Sequence, residues 1–127
     1  MKKVLQAWLA DNTVTVDNKT DKIPILKSRG TLTLDDVIDE MLKQDTGLRI
    51  ETLRHSIDLF LRILADLILN GYSVNTGLFR AVAQLTGVVE GGVWNKEKNS
   101  IYVSLTQDKA LREAILETAV EILGEKP

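Results

Sequence analysis

The feature that most constrains the fold is a long apolar run at helical spacing between Ile50 and Gly71. Its apolar residues recur every three or four positions, at Ile50, Leu53, Ile57, Phe60, Leu61, Leu64, Leu67 and Ile68. This spacing predicts the longest helix of the chain, with Gly71 as its C-terminal stop. Leu59, Ile63 and Leu69 fall outside the main stripe, so the second half is apolar around most of its circumference. Such a helix must be covered on several sides, by a partner subunit or by the N-terminal strands.

The first thirty residues have a different pattern, with short β-rich runs separated by polar turn clusters. The predicted strands are Lys3 to Leu9, Thr13 to Val16 and Ile23 to Lys27. Pro24 indicates an edge strand or a bulge, because proline cannot donate a ladder hydrogen bond. Trp8 occupies an alternating position in the first strand, and we expect it in the core.

The hydrophobic period changes after Thr33, where apolar residues recur as Leu34, Val37, Ile38, Met41 and Leu42. This stripe predicts a first helix ending near Gln44. Thr33 is the predicted N-cap, accepting from the backbone N–H of Asp36. Asp35, Asp36, Asp39 and Glu40 are interpreted as a solvated helix start rather than as paired catalytic carboxylates, since early acids suit the positive end of a helix.

The segment after Gly71 predicts strands at Tyr72 to Asn75 and Phe79 to Thr86, followed by a glycine-rich stretch and a turn at Asn95 to Asn99. Ile101, Val103 and Leu105 then alternate with polar residues, as in a half-buried return strand. A hairpin arm is the natural interpretation. A last helix carrying Leu111, Ile115, Ala119 and Ile122 is predicted after Asp108, and Gly124 to Pro127 resembles the start of a linker.

This order of elements resembles the HU and integration host factor family. The local sequence agrees at Asn70–Val74, where a long helix ends and a strand begins, and at Asn99–Leu105 leading into Lys109–Ile115. The resemblance covers about residues 31–116. It implies an α+β fold with two N-terminal helices, a three-stranded antiparallel sheet with a hairpin arm, and a C-terminal helix, to which this chain adds N-terminal strands. The expected division is a β-rich extension at 1–30, an HU-like domain at 31–124 and a linker start at 125–127.

The resemblance also implies a function. Members of this family are histone-like, nucleoid-associated proteins of the bacterial cytoplasm, in which a dimer cradles DNA and inserts its arms into the minor groove. For this chain it implies a homodimer that binds double-stranded DNA largely independently of sequence. Two departures concern the arm: the family's Gly-Phe-Gly turn reads Gly77, Leu78, Phe79, Arg80, and the wedge proline is missing.

The candidate DNA-binding residues are therefore Arg80, Trp94, Lys96 and Lys98. Each cation that neutralises a phosphate adds salt-sensitive affinity, and three cations per subunit imply weak binding. The alternative for the cations is ordinary solvated surface. Trp94 stands in for the missing proline as a residue that enters a base step, or it packs against the sheet.

Charge is unevenly distributed along a chain whose net charge is only -2. The basic residues of the first thirty positions outnumber the acidic ones, and they either lengthen the DNA footprint or protect a sheet edge; they are Lys2, Lys3, Lys19, Lys22, Lys27 and Arg29. The rest of the chain is net acidic. This balance favours the alternative function, a protein-interaction or assembly module that keeps the HU-like fold and has lost DNA binding.

Other function classes lack the residues they need. The chain has no cysteine and a single histidine, His55, which excludes disulfides and His-based or thiolate metal clusters. It contains no phosphate loop and no nucleophile, base and acid set, so we expect no catalytic residue, no cofactor and no small-molecule substrate. No apolar run reaches the length of a membrane span, so we expect a cytoplasmic protein.

Overall fold

The computed structural model describes residues 2–12 and 21–127. The predicted strand Thr13 to Val16 and the cation Lys19 lie outside the described residues. The elements are β1 (Val4–Asp11), β2 (Lys22–Leu26), α1 (Leu34–Leu42), α2 (Ile50–Leu69), β3 (Val74–Asn75), β4 (Phe79–Thr86), a short 3-10 turn (Glu90–Gly92), β5 (Ser100–Gln107), α3 (Lys109–Leu116) and β6 (Ala119–Glu125). The predicted α+β class is confirmed.

The chain divides into two compact units. The first combines Met1–Thr31 with Ala114–Pro127, and the second is Leu32–Glu113. The division of the sequence into an extension at 1–30, a domain at 31–124 and a linker start at 125–127 stays a prediction. No helix in the described part of the chain is long and apolar enough to cross a membrane.

The first unit is built on a three-stranded sheet in the order β2-β1-β6. Strand β1 pairs antiparallel with β2 and parallel with β6, with a register shift between Ala7 and Leu9. Pro24 lies opposite Leu9 on the edge strand β2, which confirms the predicted edge position. Ala7, on the central strand, is buried.

Strand β6 corrects the prediction of a long last helix. The helix α3 ends at Leu116, so Ala119 and Ile122 belong to a strand rather than to a helical stripe. Thr118 closes the helix, because its hydroxyl donates to the carbonyl oxygen of Ala114 at 2.8 Å. The next residue, Ala119, already donates its N–H to the carbonyl oxygen of Lys3. The chain therefore leaves the helix directly into pairing with β1.

Trp8 is half-buried rather than enclosed in a core. The Nζ atom of Lys27 lies 5.4 Å from the centroid of the indole ring, within the range of a cation–π contact. A three-stranded sheet offers a central side chain too few neighbours to enclose an indole on every side. The expectation that Trp8 is a core residue is therefore wrong.

Two helices open the second unit as the sequence predicted. Thr33 is the N-cap of α1: its Oγ1 accepts from the N–H of Asp36, and a carboxylate oxygen of Asp36 accepts from the N–H of Thr33 at 2.8 Å. This reciprocal pair is a capping box with aspartate in the third position. Helix α2 ends before Gly71, whose φ of 96° is a left-handed conformation that favours glycine.

A second three-stranded sheet follows α2, antiparallel throughout and in the order β3-β4-β5. The small buried core of this unit consists of Ile38, Leu53, Ile68 and Ala81. The register pairs Phe79 with Gln107 and Thr86 with Ser100. Because side chains alternate between faces, the odd-numbered positions of β4 and the residues paired with them share one face. That face is apolar and carries Ala81, Ala83, Leu85, Ile101, Val103 and Leu105.

Candidate nucleic-acid interface

The opposite face of the second sheet is polar. By the same alternation it carries Arg80, Gln84, Thr86, Ser100, Tyr102, Ser104 and Thr106, with Val82 among them. The Nε atom of Arg80 donates to the hydroxyl of Ser73 at 3.0 Å, which orients an exposed guanidinium. Arginine, hydroxyl and amide side chains are the groups that contact DNA phosphates. This face therefore presents one cation within a field of neutral hydrogen-bonding groups.

The loop of residues 87–99 occupies the place of the predicted arm. Strands β4 and β5 form the expected hairpin, but their pairing ends at Thr86 and Ser100. Beyond that pair the chain folds into a 3-10 turn at Glu90–Gly92 and a second turn, in which the N–H of Lys98 donates to the carbonyl oxygen of Asn95. The predicted turn at Asn95 to Asn99 is confirmed. The predicted strands on either side of the loop are also confirmed, because their pairing ends at Thr86 and Ser100, and residues 87–99 form the end of the β4–β5 hairpin.

Asn99 holds this loop together. It is the buried polar residue of the described chain, with 3% of its surface exposed. Its amide nitrogen donates to the carbonyl oxygens of Thr86 and Val88, at 3.4 and 3.2 Å. Its side-chain oxygen accepts from the N–H of Asn95 at 3.0 Å. One side chain thus joins the beginning of the loop to its end, because it bonds to backbone groups on both sides of the loop.

Gly87 makes the close approach at the base of the loop possible. Its φ is 93°, and a Cβ atom at this position would lie 2.4 Å from the carbonyl oxygen of Lys98 and 2.7 Å from the side-chain nitrogen of Asn99. Any other residue would collide with backbone. The glycine is therefore required both by its conformation and by the space around it.

Three of the four candidates, Trp94, Lys96 and Lys98, lie in this loop. Lys98 pairs with Glu90, with 2.9 Å between Nζ and a carboxylate oxygen, and Lys96 is exposed. Trp94 is 39% exposed and borders two shallow cavities of about 220 and 320 Å³. Lys98 lines the first of these cavities, and Lys96 and Ile101 line the second. The indole is thus partly packed and partly open to solvent.

The structure brings three of the four candidate residues together and separates the fourth. Trp94, Lys96 and Lys98 share the loop, while Arg80 lies near the far end of β4. Arg80 is six positions from the end of the strand ladder at Thr86, which corresponds to roughly 20 Å at about 3.4 Å per residue. The candidate residues therefore lie in a loop and on a sheet face.

Sequence reasoning named Arg80 and missed the neutral residues around it. Gln84, Tyr102 and Thr106 share its face, and the alternation of polar and apolar residues along β4 and β5 is the signal that identifies them. Across the described residues, no group of three or more His, Asp or Glu side chains is arranged to hold a metal ion.

Comparison with known proteins points in the same direction. The family model HU-DNA_bdg, which describes a DNA-binding domain, matches residues 4–124. The crystal structure of a protein from Bacteroides vulgatus ATCC 8482, described as a candidate bacterial DNA-binding protein, matches the chain with a TM-score of 0.86 and 46% sequence identity. The match covers 100% of this chain and 51% of that protein, so the chain spans about half its length. No curated protein gives a significant match.

Proposed function

Because the chain belongs to the HU-DNA_bdg family of DNA-binding domains, we propose that it binds duplex DNA as a non-enzymatic, HU-like architectural domain. The polar face of the second sheet and the loop of residues 87–99 form the binding surface in this proposal. A DNA partner implies a site of action in the bacterial cytoplasm, at the nucleoid. The observation that carries the proposal is the exposed Arg80 guanidinium on a sheet face of hydroxyl and amide groups.

Binding on this surface is largely independent of base sequence. Arginine, serine, threonine and glutamine side chains contact phosphates, and such contacts position a protein without reading sequence. Lys96 and Lys98 add cations at the loop, and Trp94 supplies an exposed aromatic edge suited to entering a minor-groove step. The small number of cations predicts a weak affinity with a shallow salt dependence, because each neutralised phosphate adds only about 0.9 to the slope of log affinity against log salt.

A homodimer is part of the same proposal. Leu85, Ile101 and Leu105 lie on the apolar face of the second sheet, yet 69%, 58% and 65% of their surfaces are exposed. Helix α2 adds further exposed apolar side chains, among them Phe60 and Ile63. The neighbouring apolar side chains of the sheet face form a contiguous surface, and such a surface marks an interaction site in a protein that folds in water. A second copy of the chain supplies a matching apolar face, as the HU-like resemblance implies.

The alternative is a protein-interaction module that keeps this fold without binding DNA. Two observations favour it: the net charge of -2 and the pairing of Lys98 with Glu90, which lowers the positive field of the loop. The same exposed apolar side chains would then receive a different protein. DNA affinity separates the two functions.

The deciding experiment is fluorescence anisotropy of a labelled duplex of about 30 base pairs, titrated with the full chain at several salt concentrations. Phosphate contacts give an affinity that falls as salt rises. Arg80→Gln should weaken binding and flatten the salt dependence. Lys43→Gln makes the same charge change on α1, where Lys43 already pairs with Glu40, and should leave affinity nearly unchanged. No binding at low salt would overturn the proposal in favour of the interaction module.

A further inference from the structure

The cations of the first unit occur in two different settings. Lys22 has the first. Lys22 lies on edge strand β2 and is neutralised by two carboxylates, Asp11 and, at 3.3 Å, Glu125. Hydrogen bonding and the charges of these acids raise the pKa of Lys22, and Lys22 lowers the pKa of Asp11. Lys22 therefore stabilises the sheet itself, and its two carboxylate partners leave little positive potential to attract a binding partner.

Lys2, Lys27 and Arg29 are placed differently. The chain leaving β2 stays beside β1, because the N–H of Lys27 donates to the carbonyl oxygen of Gln6 at 2.8 Å. Two residues further on, Arg29 joins Lys2 in lining an open cavity of about 380 Å³. All three side chains are exposed. The residues before β1 and the segment after β2 thus bring Lys2 and Arg29 to one cavity, and Lys27 lies two positions before Arg29 in the chain.

The surroundings of these cations suit a phosphate. The cavity holds one acid, Glu121, whose carboxylate accepts from the side-chain nitrogen of Gln6 at 3.4 Å. Two cations, Lys2 and Arg29, line the cavity against this one carboxylate and leave a positive excess there. Lys27 lies over the Trp8 ring, so its ammonium is held at the surface by a contact that does not neutralise it.

We propose that Lys2, Lys27 and Arg29 form a second binding site for the phosphate backbone of DNA, on the first unit and separate from the sheet face and loop of the second. This inference rests on the proposed function. It is supported by the extent of the family match, which begins at residue 4 and ends at 124 and therefore includes β1, β2 and all but the last residue of β6, together with Lys27 and Arg29. The basic N-terminal segment then extends the footprint rather than only protecting an edge.

The test compares salt dependence of duplex binding for the full chain and three variants. The triple variant Lys2→Gln, Lys27→Gln, Arg29→Gln should bind more weakly, and the slope of log affinity against log salt should become shallower by about 0.9 for each phosphate that the variant no longer neutralises. The double variant Lys2→Gln, Arg29→Gln leaves the Lys27 contact with Trp8 intact. Its slope should become shallower by up to about two steps of 0.9 each. The matched control is Lys43→Gln, Lys109→Gln, Arg112→Gln, which removes the same charge from intrahelical or helix-end ion pairs.

The outcomes are distinct. A shallower slope in the triple and double variants of Lys2, Lys27 and Arg29 and an unchanged slope in the control support the second site. Equal slopes in all the variants and the unmodified chain overturn the second site while leaving the proposed function in place. Equal reductions in the triple variant of these residues and in the control also overturn it, because net charge alone would then explain the effect. Absence of any DNA binding by the unmodified chain overturns both.

Discussion

The ammonium group of Lys98 lies 2.9 Å from a carboxylate oxygen of Glu90, and both residues belong to the loop of residues 87–99 at the end of the β4–β5 hairpin. The two side chains are largely exposed, so their ion pair contributes little to folding stability. Its consequence is electrostatic. In the proposed function, a DNA phosphate that approaches Lys98 competes with the Glu90 carboxylate for the same ammonium group. Glu90 therefore weakens any contact between Lys98 and a phosphate.

Removing that competitor should strengthen DNA binding. In Glu90→Gln the Lys98 ammonium is free to contact a phosphate, so affinity should rise at low salt and the salt slope should steepen by up to about 0.9. Fluorescence anisotropy at several salt concentrations measures both quantities. Glu97→Gln removes the same charge from the same loop without touching the Lys98 pair. Equal gains in the two variants would contradict a specific competition.

Asn99 should be the residue on which the order of the loop depends. Asn99→Ala removes two donors and one acceptor from backbone groups at both ends of the loop. We expect the free energy of unfolding to fall by about 1 to 3 kcal/mol, the usual cost of leaving buried polar groups unsatisfied. Urea denaturation followed by circular dichroism measures it. The control is Asn75→Ala, which removes one exposed acceptor from the N–H of Gly77 and should lower the free energy of unfolding clearly less. Similar losses in the two variants would mean that the order of the loop does not depend on Asn99.

Two glycines of the same loop separate steric conflict from backbone strain. Gly87→Ala and Gly91→Ala both force a side chain into positive φ, at 93° and 64°, which costs about 1 to 2 kcal/mol for an L-residue. Only at Gly87 does the new Cβ atom meet backbone; at Gly91 nothing lies within 4 Å. Gly87→Ala should therefore lower the thermal midpoint more than Gly91→Ala. Equal midpoints would mean that the loop can open at its base.

The elements that the sequence predicted are those with a local signal. The stripe from Ile50 to Ile68 predicted α2, and the capping residue Thr33 predicted the start of α1. Both signals could be found in the sequence because they depend on residues three or four positions apart. Strand β6 was missed because Ala119 and Ile122 also fit a helical repeat. What decides in favour of a strand is pairing with β1, whose residues lie at the other end of the chain.

The residues of the candidate site were, like the elements of the fold, predicted only in part. Arg80 and the loop cations followed from residue type and a resemblance, and the alternation of β4 and β5 placed Arg80 on a polar face. No pattern in the sequence predicted how the loop folds. Its conformation depends on hydrogen bonds from the Asn99 side chain to the carbonyl oxygens of Thr86 and Val88, which lie more than ten positions away. Glycines that indicate flexibility in a sequence can equally mark close contacts, as Gly87 does.

The capping box of α1 should make stability depend on acid pH. The carboxylate of Asp36 accepts from the N–H and the hydroxyl of Thr33, and these bonds lower its pKa below the ordinary value of 3.8. A carboxyl whose pKa is lowered on folding stabilises the fold above the pKa of the unfolded chain, and this contribution is lost as pH falls through the folded pKa. Asp36→Asn should thus be less stable than the unmodified chain at pH 6, with the gap narrowing near pH 3. Urea midpoints at both pH values provide the check, and a gap independent of pH would contradict it.

The apolar face of the second sheet should decide the oligomeric state. Ile101 and Leu105 lie on one face of β5 and are more than half exposed, so a second copy that covers this face would bury them. Ile101→Asp with Leu105→Asp places two carboxylates in such an interface, where unpaired charge is strongly unfavourable. Light scattering should then report the 14.1 kDa of a single chain in place of twice that mass. Ser100→Asp with Thr106→Asp adds the same charges to the polar face of the same strand and should leave the dimer intact. If the control dissociates as well, or if the unmodified chain is already a monomer, the apolar face of β5 does not hold two copies together.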